Sequence, residues 1–163
     1  MRRSVAIVSV LALGGLASAQ PAAAVDPLLA GHDTDPLELA RVVDRIGDDA
    51  VLARLAPETP IAVRVLAVSA TPRLHAPEAA LPTLAELAGG RDPDLAPRAL
   101  QAISEIARSL DARSLDARES ERAELRAVLP RLTGIGEDES ARADLRRAAA
   151  EARIALERLA TSE

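Results

Sequence analysis

The sequence predicts an all-α protein, folded as a short stack of about three antiparallel helix pairs. Three observations point there. Ala, Leu, Arg and Glu dominate the chain, while Gly is held to 8 residues and β-branched residues are few; this is a composition of strong helix formers. Apolar residues recur at helical spacing in most segments between Pro and Gly breaks. One helix–turn–helix stretch is also copied farther along the chain.

The N-terminal segment reads as an address. Arg2 and Arg3 precede an uncharged run from Val5 to Leu16, and Ala17-Ser18-Ala19 supplies a small-x-small cleavage pattern. The run is about a dozen residues, too short at 1.5 Å per residue to cross a hydrocarbon layer of ~30 Å. The alternatives are a buried helix or an uncleaved anchor; twin-Arg export is disfavoured because Ser4-Val5-Ala6 lacks the rest of that pattern. The expected organisation is a signal peptide over 1–19, cut between Ala19 and Gln20, a flexible lead-in over 20–34, and a helical domain over 35–160. Its expected location is periplasmic or secreted, in a bacterium.

Within the domain, Asp35-Pro36 looks like an N-cap followed by Pro at the first helical position. Leu37, Ala40, Val43 or its neighbour, and Ile46 then form a stripe, and Gly47 stops the helix. Asp48 or Asp49 is expected to cap a short helix through Val51, Leu52 and Leu55, ended by Pro57. The segment IAVRVLAVSA after Thr59-Pro60 fits a strand by its alternating Ile61, Val63 and Val65. It also fits a central helix, apolar except at Arg64, and helix is favoured because no partner strand is visible. Residues 77–88 predict a helix interrupted or kinked at Pro82 and terminated by Gly89-Gly90. Leu95 to Leu110 forms a helix with Leu100, Ile103, Ala107 and Leu110 on one stripe. Glu119 to Thr133 carries Leu125, Val128, Leu129 and Leu132, with Gly134 and Gly136 expected to close it. Ser140 to Ala160 is the last helix, with Leu145, Ala149, Ala152, Leu156 and Leu159 facing one way and Arg147 and Glu151 at ion-pair spacing.

An offset of 48 aligns Ala79 with Ala127, Leu81 with Leu129, Pro82 with Pro130, Leu84 with Leu132, Arg98 with Arg146 and Ile106 with Ile154, without a gap. A weaker copy at offset 34 pairs Ala62 with Ala96, Arg64 with Arg98 and Leu66 with Leu100. The tandem ARSLD between Ala107 and Ser120 accounts for the longer spacing. One helix pair cannot bury its apolar stripe alone, whereas three stacked pairs can.

The stretch LPTLAELAGGRDPDLAPRALQAISEI resembles a HEAT repeat of the subtype found in phycobilin-lyase-like proteins. The likeness rests on L-P-x-L in the first helix, Asp92-Pro93-Asp94 in the turn, and Arg98 at the start of the second helix. Pro97 departs from the pattern, and the last copy has Asp138-Glu139-Ser140 in place of D-P-D. The resemblance implies a HEAT-like or ARM-like α-solenoid. It also implies that Arg64, Arg98 and Arg146 pair with turn aspartates, Asp92 or Asp94 being the partner of Arg98 or Arg64. The other reading of the three is a basic ladder lining a groove.

Composition excludes several chemistries. The chain has no Cys, so it forms no disulfide, thiolate metal site or Cys nucleophile. It has no aromatic residue to stack on bases, and its net charge of -5 offers no field for phosphate backbones, so nucleic acid is not an expected partner. All 20 basic residues are Arg. His32-Asp33-Thr34-Asp35 lies in the lead-in and reads as solvated linker, not as a metal site. His75 has no evident carboxylate partner and reads as a loop residue, not a general base. Gly89-Gly90-Arg91 ends a helix and does not cradle phosphate. Glu137-Asp138-Glu139 lacks EF-hand spacing and reads as charge at a helix N-terminus. No catalytic, cofactor-binding or metal residue is therefore assigned, and no enzyme activity or cofactor is expected. The expected function is a non-catalytic protein-interaction scaffold of the cell envelope, without stable membrane insertion once the signal is removed. The alternatives are an accessory subunit or modulator of an envelope enzyme, and a carrier of a small apolar ligand.

Overall fold

The computed structural model describes residues 26–30, 36–90, 92–112 and 119–161. The signal peptide, its cleavage point and the His32–Asp35 cluster lie outside the described residues. Eight α-helices are present among those described: α1 (Pro27–Ala30), α2 (Pro36–Ile46), α3 (Asp48–Ala53), α4 (Ile61–Ala70), α5 (Leu81–Ala88), α6 (Leu95–Ala112), α7 (Glu119–Glu137) and α8 (Ala143–Thr161). Two 3-10 turns, Thr71–Arg73 and Pro77–Ala80, link α4 to α5, and there is no strand among the described residues. The ambiguous segment from Ile61 is therefore helical. It buries Val63, Ala67, Val68 and Ala70, while Ile61 is 47% exposed.

Packing follows chain order. The central helix α6 packs against α4, α5 and α8, and α5 packs against both α6 and α7. The last two helices, α7 and α8, pack along each other, and the short helices α1 to α3 gather around α4. A single cluster of buried apolar side chains runs through all of these elements, from Leu28 to Ala160. Leu100, Ile103 and Ile106 of α6 are completely buried within it, as are Leu81 and Leu84 of α5 and Leu132 of α7.

Local chemistry explains most boundaries. Gly47 adopts a φ of +82°, a left-handed conformation that a β-carbon disfavours. It thereby closes α2 through its N–H on the Val43 carbonyl at 2.8 Å and turns the chain into α3. Pro82 does not kink a continuous helix. The chain breaks before it into the turn at Pro77–Ala80, and Pro82 takes the first turn of α5, where its missing N–H costs nothing. Asp92 opens α6 by accepting the N–H groups of Asp94 and Leu95 on one oxygen, at 2.9 and 3.0 Å.

Several expectations need correction. Leu37 is 69% exposed, and the buried stripe of α2 runs through Val42 and Val43. The short helix ends at Ala53, with Arg54 as its C-cap, ahead of Pro57. Gly134 and Gly136 do not close α7, which continues to Glu137. Glycine costs about 1 kcal/mol in a helix, and the packing of Leu132 and Ile135 with the core on the same turns outweighs it. The last helix begins at Ala143, because Asp138 folds a turn over Ser140 first. Within the stretch expected to be flexible, residues 26–30 are tied down. Leu28 is 1% exposed, and Asp26 accepts both from the Leu28 N–H at 3.0 Å and from Arg54 Nε at 2.9 Å.

The boundaries of the second long pair fall close to 48 residues after those of the first. Helix α6 begins at Leu95 and α8 at Ala143, while α5 ends at Ala88 and α7 at Glu137. Side-chain burial follows the same spacing in the first helix, where Leu84 and Leu132 are both completely buried. It does not follow it in the second. Ile106 is completely buried and its counterpart Ile154 is 44% exposed, because α8 buries Ala149, Ala152 and Leu156. That stripe lies one position beyond the counterparts of Leu100, Ile103 and Ala107, a rotation of about 100° around the helix axis.

Candidate functional site

Three surface features bring polar side chains together. The first is on α6. Leu95, Ala99, Leu100, Ile103, Ile106 and Leu110 turn inward, which leaves Arg98, Gln101, Glu105 and Arg108 on the outer side at helical spacing. Gln101 donates to Glu105 Oε1 at 3.0 Å, and Arg73 reaches Glu105 Oε2 at 3.7 Å from the turn after α4. Next to this pair lies a shallow depression of about 500 Å³ lined by Pro72, Arg73, Glu105, Arg108 and Ser109.

The second is a cleft of about 590 Å³ between the α5–α6 turn and the α7–α8 turn. Its apolar walls include Ala88, Pro93, Ala96, Ile135 and Leu145, and its polar groups are Asp92, Asp138, Ser140 and Arg142. Both aspartates are engaged in their own turns. The Ser140 hydroxyl bonds Asp138 Oδ1 at 2.6 Å and the Ser140 N–H bonds it at 2.9 Å. These bonds, with the Ala141 N–H and the nearby Arg146 charge, hold the Asp138 carboxyl below the usual carboxylate range. Arg142 is paired with Asp144 through Nε at 3.1 Å and a second nitrogen at 2.6 Å. That pairing holds the Asp144 carboxyl below its ordinary value.

The third is a clasp between α3 and the loop that follows Thr71–Arg73. Asp48 Oδ2 accepts the N–H groups of His75 and Ala76 at 3.0 and 3.1 Å, and Oδ1 lies 3.1 Å from His75 Nδ1. An ionised carboxylate only accepts, so His75 donates from Nδ1, on a side chain that is largely exposed. Partial burial opposes the charge on Asp48, but the Ala76 N–H and the His75 ring and N–H overcome it, so the carboxyl sits below its ordinary value.

The sequence-level candidates fall differently from expectation. His75 does have a carboxylate partner, Asp48, and Asp48 is not an N-cap, a position taken by Gly47. The two lie 27 residues apart, and nothing in their local sequence announces the pairing. Arg98 is exposed and makes no ion pair with Asp92 or Asp94; Asp92 is used as a helix cap. Arg64 likewise forms no ion pair among the described residues, and its Nε is buried without a hydrogen-bond partner there. Of the three equivalent arginines, only Arg146 acts on a turn aspartate, through its charge on Asp138. Among the described residues, arginines tie separate elements instead through Arg54–Asp26 at 2.9 Å, Arg73–Glu105 at 3.7 Å and Arg131–Glu86 at 3.9 Å. Among the described residues Arg147 and Glu151 do not pair with each other; Arg153 pairs with Glu157 on α8, and Arg142, just before the helix, pairs with Asp144.

Among the described residues, no group of three or more His, Asp or Glu side chains is placed to hold a metal ion, and no helix is long and apolar enough to cross a membrane. No protein family, curated protein or solved structure matches the chain.

Proposed function

We propose that this chain is a non-catalytic protein-interaction scaffold of the cell envelope, with its helix pairs stacked as HEAT-like repeats behind an export signal. One observation carries the reading. The central helix α6 is covered by α4, α5 and α8 and keeps a continuous polar row, Arg98, Gln101, Glu105 and Arg108, on its outer side. A helix held on three sides presents such a row as a rigid surface, at little entropic cost to a partner. The serial contacts of α4 with α6 and α6 with α8, and of α5 with α7, are those expected of stacked pairs. The near-equal spacing of the two long pairs supports the same reading.

The test uses the full-length chain with its own N-terminus and a C-terminal tag as bait in envelope extract. Wild type is compared with the Arg98→Glu, Gln101→Ala double variant and with Arg41→Glu, a change on another helix, at the exposed Arg41 of α2. We expect a defined partner held by wild type and by Arg41→Glu and lost by the α6 variant. Capture that is the same for all three chains, or none by wild type, overturns the proposal. Intact mass of the exported chain checks the export signal: a product beginning at Gln20 is expected, and retention of Met1 overturns that part.

A further inference from the structure

Resting on the scaffold reading, we infer that the depression beside α6 docks an acidic segment of the partner, with a carboxylate seated at Arg108. The depression has three charged linings, Arg73, Arg108 and Glu105. Both oxygens of Glu105 are already engaged, Oε1 by Gln101 and Oε2 by Arg73. Arg108 is exposed and is left with the Ser104 carbonyl, reached by its Nε at 3.3 Å, and among the described residues no carboxylate lies within ion-pair distance of it. Its guanidinium is therefore an uncompensated fork, the shape that receives a carboxylate on two parallel bonds.

The Ser109 hydroxyl beside it makes no hydrogen bond among the described residues and adds a neutral donor. Pro72 closes the other wall with apolar surface. Arg73 is thus paired with Glu105, and Arg108 is the guanidinium of the lining whose positive charge no described carboxylate meets, on a chain whose net charge is -5. That sign selects the partner: a basic segment would meet two guanidinium groups, and an acidic one is repelled by the chain as a whole but attracted here. Asp111, one turn farther along α6, is the remaining carboxylate of that helix; it forms no ion pair among the described residues and competes weakly with the incoming group. The turn cleft offers no such choice, since its carboxylates serve their own turns and its Arg142 is paired.

The experiment titrates the full-length chain with a short, labelled, Ala-based peptide bearing two glutamates, followed by fluorescence anisotropy at low and physiological ionic strength. We expect saturable binding that weakens with salt, falls by about tenfold or more in Arg108→Glu, and is unchanged in Arg41→Glu. Asp111→Asn should tighten it. Circular dichroism melts establish that each variant is folded, and Arg108→Gln, which removes charge without reversing it, should lie between wild type and Arg108→Glu. Absence of binding, equal binding by Arg108→Glu and wild type, or better binding of the matched lysine peptide overturns the assignment. If the peptide fails while envelope capture still depends on Arg98 and Gln101, the charge assignment falls and the scaffold reading stands.

Discussion

Helices α6 and α8 are nearly the same length, 18 and 19 residues, and both are rich in Ala and Arg, yet they hold the molecule together very unequally. Helix α6 buries Leu95, Leu100, Ile103, Ile106 and Leu110, whereas α8 buries Ala149, Ala152, Ala160 and only one large side chain, Leu156. The difference follows from their neighbours. Packed against α4, α5 and α8, α6 needs apolar side chains over a wide arc; α8 packs against α6 and α7 and needs only a narrow one. Small residues let α8 approach closely, but each contributes little buried area. Stability should therefore be concentrated around α5 and α6 and fall toward the C-terminal end.

The largest expected effect follows directly. Ile103→Ala removes a completely buried side chain from the middle of α6, and the cavity should cost roughly 2–5 kcal/mol, a sizeable share of a total of about 5–15 kcal/mol. Leu156→Ala sits in a thinner layer that relaxes more readily and should cost less. Thermal or urea melts of both variants decide the matter. If Leu156→Ala destabilises as much as Ile103→Ala, the two helices are energetically alike and the comparison fails. Amide exchange should rank them in the same order, with α8 opening at lower free energy than α6.

How much of this gradient was legible in the sequence depends on which residues are considered. The apolar stripe of α6 could be read position by position, because helical periodicity and core burial express the same constraint. The turn at Gly47 was legible too, since its left-handed backbone suits glycine, and α5 ends at Gly89 as expected. So was the phase of α8: of the stripe Leu145, Ala149, Ala152, Leu156 and Leu159, the middle three are completely buried and the two leucines at its ends pack against the core. The repeat alignment was what misled, because it matched Ile154 to Ile106 and Ile154 is half-exposed. Contacts between distant segments were hidden. Asp26 with Arg54 and Asp48 with His75 depend on how separate segments meet, and a lone Asp before a short helix has the local appearance of a cap.

A smaller effect is expected from the clasp at Asp48. Its carboxyl titrates lower in the folded chain than in the unfolded one. The linked stability is therefore complete above the ordinary Asp value near 4 and is lost as pH falls through the lower folded value. Stability should be insensitive to Asp48 between pH 7 and about pH 5, and wild type should lose part of its margin over Asp48→Asn below about pH 4. Asp138 and Asp144 titrate low in the same direction at the C-terminal turn, so the difference between wild type and Asp48→Asn isolates the clasp. Parallel pH profiles for the two proteins would show that the 75–76 loop is held by the burial of Leu74 and Pro77 alone.

The smallest expected effect tests the rotation of α8. Ile154 corresponds in sequence to Ile106, but it is 44% exposed where Ile106 is completely buried. Ile106→Ser should be severely destabilising, because it opens a cavity and places a hydroxyl in an apolar site. Ile154→Ser should cost under about 1 kcal/mol, the range of surface and half-buried changes. Sequence likeness alone predicts comparable losses; the observed phase of α8 predicts a wide gap. A loss on the order of 3 kcal/mol at Ile154 would mean that α8 turns the same face inward as α6, and that the C-terminal end is held as firmly as the centre.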